Sequence, residues 1–182
     1  MGNEASFLTT EQIQEISTQT PFKSKDVEKL LKRYAHYDSS EKGINGIPYN
    51  TCVSMPEFAG NKFAPHLMQH YMDKNSRKIY PKQFLLICGA FSPETSALKK
   101  KELLFEIFDS GKSGVMTHGE VFSLYKILFG NAVSDKIILD LTFRALNHPD
   151  LDKPGEIRKD EFLKMIPDNE IKTKFSVDLQ II

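Results

Sequence analysis

The sequence predicts an all-α protein made of two lobes, each a pair of helix–loop–helix units, with a short helix in front and a tail behind. Three observations predict it. Apolar residues recur at helical spacing, as in Val27, Leu30, Leu31 and Tyr34. Turns rich in Gly, Pro and Asp break that periodicity at hairpin intervals. No strand pattern alternates with the helical one, which disfavours a doubly wound α/β fold.

The elements follow in order. Thr9 and Gln12 form a capping box before a first helix that carries Ile13 and Ile16 on one face and meets Pro21. Ser24 is the expected cap of a second helix, with Asp26 in its first turn. That helix should end near Tyr37, before a polar stretch over 38–46. Further helices are expected over 65–72, 81–91, 99–108 and 121–129, the last stopped by Gly130. Another should start at Asp135 with Ile137, Ile138, Leu141 and Leu146 inward, and a final one should cover 159–165. Residues 175–182 alternate apolar and polar and are too short to form much structure alone. The expected divisions are an arm and short helix over 1–22, a degenerate pair over 23–92, and a second pair with the tail over 93–182.

Composition narrows the function. The 182 residues carry 24 basic and 24 acidic side chains, so the formal net charge is zero. No basic field is left to hold nucleic acid without sequence preference. Cys52 and Cys88 match no zinc spacing and read as buried thiols in a reducing compartment. No apolar run reaches the roughly 18 residues that span a bilayer, and no secretory signal precedes the first helix. The chain does open with Met1-Gly2-Asn3-Glu4-Ala5-Ser6, which fits M-G-x-x-x-S/T and makes Gly2 a candidate myristoylation site. One such chain binds membranes only marginally, so a second anchor would be required.

No catalytic constellation is present. His36, His66, His70, His118 and His148 are scattered outside any H-E-x-x-H pattern, and there is no phosphate-cradling Gly loop or nucleophile elbow. The chain is therefore not expected to be an enzyme. Lys99, Lys100 and Lys101 read as a solvated helix start, with contact to acidic lipid heads as the other reading.

Two loops carry chemistry. An EF-hand loop wraps oxygens from positions one, three, five, seven, nine and twelve around one hard cation, with Gly at six for the sharp turn. Residues 109–120 fit: Asp109 is first, Ser113 fifth, Gly114 sixth, Val115 offers its carbonyl, Thr117 its hydroxyl, and Glu120 closes the loop. Gly111 leaves position three empty. Residues 150–161 fit too, through Asp150, Asp152, Gly155, the carbonyl of Glu156, and Glu161. Pro154 and Arg158 weaken positions five and nine. Carboxylate count ranks this fourth loop above the third, with calcium or magnesium weakly held in either. The stretches 38–49 and 73–83 lack a closing carboxylate and are read as structural hands.

These loops, together with Thr10-Glu11-Gln12-Ile13, Phe22, Ile47-Pro48, Met55-Pro56-Glu57-Phe58, Asn61, Phe63 and Phe175-Ser176-Val177, resemble the calcium- and integrin-binding protein family, close kin of calcineurin B. The likeness covers nearly the whole chain. It implies a cytoplasmic adaptor, at the inner face of the plasma membrane, that carries metal in its third and fourth hands. Such an adaptor cradles an amphipathic helix from the cytoplasmic segment of an integrin or channel. The rival implied by the same likeness is a regulatory subunit of a protein phosphatase.

The groove for that helix would draw on Leu104, Ile107, Phe108, Phe122, Tyr125, Leu128, Phe129, Ile138, Leu141 and Phe162, all apolar at helical spacing. Some of these must be core, and spacing alone does not separate the two roles. A partner helix would enter the groove by displacing Phe175–Ile182.

Overall fold

The computed structural model describes residues 7–179, so Gly2 and the last three tail residues, 180–182, lie outside the described part. Among the described residues the fold is helical, as expected. Helix α1 is Thr10–Gln19, α2 Ser24–Ala35, α3 Tyr49–Val53, α4 Ala64–Tyr71 and α5 Pro81–Phe91. Helix α6 is Ala97–Phe108, α7 His118–Phe129, α8 Asp135–Leu146, α9 Lys159–Met165 and α10 Asp168–Lys174. The hands are α2–α3, α4–α5, α6–α7 and α8–α9.

Each pair of hands is tied by a two-residue antiparallel ladder, which no periodicity in the sequence signals. Strand β1 (Ile47–Pro48) pairs with β2 (Lys78–Ile79), and β3 (Val115–Met116) pairs with β4 (Ile157–Arg158). In the second ladder Met116 faces Ile157, and both are the eighth residue of their loops. In the first ladder Ile47 faces Ile79, although Ile47 is the tenth residue counted from Asp38 and Ile79 the seventh from Asp73. The first loop is thus two residues long for the metal frame and the second one residue short. Neither can ring a cation in the usual register.

The chain divides into two compact units. One comprises the described residues of Met1–Thr95 and Phe175–Ile182, the other Ser96–Lys174. The tail, grouped by sequence with the second pair, is part of the first unit.

The first unit forms as predicted from local chemistry. The Thr9–Gln12 box is present: Gln12 N–H donates to Thr9 Oγ1 at 3.2 Å and Thr9 N–H to Gln12 Oε1 at 2.9 Å. Helix α2 starts one residue earlier than expected, because Asp26 rather than Ser24 satisfies the end, accepting from Lys23 N–H at 3.0 Å. Val27, Leu30, Leu31 and Tyr34 are its buried face. Aromatic rings then run through the core: Tyr34 meets Phe84 with centroids 5.5 Å apart, Phe58 meets Phe84 and Phe91, and Phe175 packs between Phe63 (5.3 Å) and Phe91 (5.1 Å). Backbone joins in, since Val177 N–H donates to Phe91 O at 3.1 Å. Cys52 and Cys88 are free and buried, and burial pushes the Cys52 thiol up to about 12.

In the second unit, helix α6 begins at Ala97 with Ser96 as its cap, and α7 begins three residues before the expected point. Helix α10 was not anticipated, and it explains a second departure. Lys100 and Lys101 are buried, not solvated. Lys101 Nζ donates to Leu163 O at 2.9 Å and pairs with Asp168 at 2.6 Å, so it pins α6 to α9 and α10. Lysine stems bury readily when the ammonium finds oxygen.

Lys100 has its pKa lowered to about 8, first by burial and then by the charge of Lys172. An unfolded lysine titrates near 10.4. Between those values the unfolded chain holds a proton the folded chain lacks, so this residue makes stability rise with pH across that window. Cys52 and Cys88 act oppositely above about pH 9, because burial raises their thiol pKa. The informative quantity is therefore the difference between the wild type and Lys100→Met. From pH 7 to 10 the wild type should gain about 1–3 kcal/mol on the variant in urea unfolding. Parallel profiles would show that Lys100 does not titrate in this window.

Candidate functional site

The third loop is preformed around oxygen. Asp109, at the end of α6, accepts from Ser113 N–H and Gly114 N–H, each at 2.8 Å through a different carboxylate oxygen. Burial would raise its pKa, but these hydrogen bonds outweigh it and hold the carboxyl below its usual value. Gly114 sits at φ +79°, the left-handed turn a side chain would resist. Ser113 Oγ donates to Val115 O at 2.9 Å, which draws two intended ligands together. Glu120 accepts from Ser110 N–H at 3.1 Å and from Thr117 N–H at 2.9 Å, closing the loop while capping α7. No basic side chain lies within salt-bridge distance of Asp109 or Glu120 among the described residues.

The fourth loop is wired differently. Glu161 accepts from Asp152 N–H and Arg158 N–H, both at 2.7 Å, and these bonds lower its pKa. Every carboxylate of the loop also faces a basic group. Arg158 pairs with Asp152, lies 3.5 Å from Asp160 and 4.0 Å from Glu161. Lys153 bonds Glu156 at 3.1 Å, and His148 stands 3.7 Å from the well-exposed Asp150.

The two degenerate loops are held by their own hydrogen bonds. Asp38 accepts from Ser40 N–H, from Gly46 N–H at 2.8 Å and from Tyr34 Oη at 3.2 Å. Asp73 accepts from Ser76 N–H at 2.7 Å.

Among the described residues no three His, Cys, Asp or Glu side chains converge as a metal site. The third loop still fits a hard cation, because its donors are two carboxylates, two hydroxyls and a carbonyl, all oxygen. Asp109, Ser113, Val115, Thr117 and Glu120 would hold it. A cation there would neutralise the two carboxylates and tie α6 to α7. The fourth loop fits less well, since the Arg158 guanidinium already pairs with Asp152 and lies 4.0 Å from Glu161.

Of the ten residues proposed for a groove, the structure assigns Leu104, Phe108, Ile138 and Phe162 to the core, each at most 6% exposed. Phe105 packs edge-on to Phe162 at 5.4 Å in that core. Ile107, Phe122, Tyr125, Leu128, Phe129 and Leu141 are half-buried. On α8, Phe143 (65% exposed), Ile137 and Leu139 are open to solvent. Ile137 was expected inward. Phe143 and Leu139 were missed, although two apolar residues four apart on one helix face carried the signal. Helices α7 and α8 pack on each other within this unit. The described part of the tail is anchored elsewhere, on Asn61, Phe63 and Phe91 of the first unit.

No family model matches the chain. It is similar to calcineurin B subunits of several organisms. It is 25% identical to the calcineurin B of Naegleria gruberi over 179 residues, 98% of this chain and 100% of that one. It is 27% identical to the type 1 calcineurin B of Dictyostelium discoideum over 179 residues, 98% of each chain. It is 25% identical to the type 2 calcineurin B of Homo sapiens over 174 residues, 96% and 97% of the two chains. The similarity is end to end, so all four hands, the degenerate pair included, lie within it.

Proposed function

We propose that the chain is a calcium-binding regulatory subunit that holds an amphipathic helix of a larger partner against the apolar face of α7 and α8. The observation that carries this reading is the exposed apolar surface of α8. Phe143 and Leu139, four residues apart on one side, and Ile137 on another are open to solvent, while Tyr125 and Phe129 of α7, which packs on α8, are half-buried. Apolar surface concentrated in this way marks a protein-binding site more often than an idle surface. The names of the relatives favour the catalytic chain of a phosphatase as partner. The second reading is the cytoplasmic segment of an integrin or channel, favoured by Ile47-Pro48 and Met55-Pro56-Glu57-Phe58 and by a candidate acylation site at Gly2. Acylation would place the chain at the inner face of the plasma membrane. In either case the chain orders a partner and does no chemistry itself.

Purified full-length chain should capture one of these two partner classes directly. Phe143→Asp should weaken that capture about tenfold or more, because it puts a charge in the contact without touching the core. Capture of neither class, or full capture by the variant, would overturn the reading.

A further inference from the structure

The fourth loop sets two of its three ligand-position carboxylates, Asp152 and Glu161, within reach of a cation that belongs to the chain itself, while the third, Asp150, faces His148. We propose that Arg158 is a built-in counter-cation that keeps the fourth hand permanently closed without metal, leaving the third loop as the single divalent-cation site of the second unit. This rests on the reading of that unit as a calcium-binding pair, and it reverses the ranking that carboxylate count suggests.

The geometry supports each part. Arg158 is the ninth residue of the loop and the residue that caps α9. Its guanidinium pairs with Asp152 at position three, stands 4.0 Å from Glu161 at position twelve and reaches Asp160 at 3.5 Å. A planar, permanently charged fork can serve several carboxylates at once, which an ammonium does less well. The two halves of the closing interaction are also already made, since Glu161 is bonded to the backbone N–H of Asp152 and of Arg158. The third loop closes on Glu120 by the same kind of backbone bonds, so what sets the fourth loop apart is the guanidinium.

The ladder carries the consequence across the pair. Arg158 is in register with Val115, whose carbonyl is a ligand candidate of the third loop, and Met116 with Ile157. A fourth loop held closed fixes β4, and β4 fixes β3 beside the working site. The fourth hand becomes a rigid platform for the third.

Calorimetric titration of the full chain with calcium tests this. The wild type should bind one equivalent, lost in Glu120→Gln and kept in Glu161→Gln. Arg158→Ser should bind two, because serine is a good helix cap and its hydroxyl suits position nine. Arg158→Lys, which keeps a positive charge, should stay at one. A wild-type count of zero or two, or an Arg158→Ser count of one at millimolar calcium, overturns the proposal. Circular dichroism of each variant confirms that the helices are retained. The count is read without any partner, so it can fail while partner capture succeeds, and the reverse.

Discussion

Phe175→Ala should unfold the first unit about 3–5 kcal/mol more easily, the range for emptying a buried aromatic site. Phe175 is fully buried, with its ring between Phe63 and Phe91. Two hydrogen bonds from the residues just after it hold it there: Asn61 Nδ2 donates to Ser176 O at 3.2 Å and Val177 N–H donates to Phe91 O at 3.1 Å. The surrounding rings are themselves packed against Phe58 and Phe84, so they cannot collapse far into the space left behind. A loosely held arm would behave otherwise, and its truncation would cost a few tenths of a kcal/mol. Urea unfolding followed by near-ultraviolet circular dichroism separates the two outcomes. The tail is therefore a structural part of the first unit at least as far as Val177.

Glu120→Gln should weaken calcium binding on the order of a hundredfold while leaving α7 intact. Glu120 is one of only two carboxylates the third loop offers, so removing its charge halves the anionic ligand set. The same side chain caps α7 through Thr117 N–H, but glutamine keeps an acceptor oxygen and is equally suited to a capping box. Metal affinity and helix stability are thus separated by one substitution. The converse is Gly111→Asp. A Cβ at Gly111 meets nothing within 4 Å, and the added carboxylate would occupy the missing third position. Calcium affinity should rise by at least about tenfold. Affinities that move together with unfolding temperature in the absence of calcium would show a structural effect instead.

The helices were legible because each had local cause. The α1 capping box, the four-residue apolar face of α2 and the stop at Gly130 all follow from residues within one turn of each other. The ladders were not legible, since a two-residue strand has no periodicity and Ile47 pairs with Ile79 from a different hand. Helix α10 was missed because its short polar sequence becomes helical by docking, with Lys101 and Asp168 as the clasp.

The candidate site divides in the same way. Ligand positions could be counted along the loop, and Gly114 and Gly155 marked the turns. What Arg158 does with its charge could not be counted, because it depends on which carboxylates its fork reaches in space. The groove residues show the limit most plainly. Leu104 and Phe108 share α6 with Ile107, and the packing of α7, α9 and α10 on α6, not the spacing, decides that the first two are core and the third half-open.

The most direct test of partner holding is chemical-shift mapping of the full isotope-labelled chain with an amphipathic helical peptide from a phosphatase catalytic chain or from a channel or integrin cytoplasmic segment. Shifts concentrated at Tyr125, Leu128, Phe129, Leu141 and Phe143 are the predicted result. Shifts confined to the first unit, or none with either class of peptide, would contradict it.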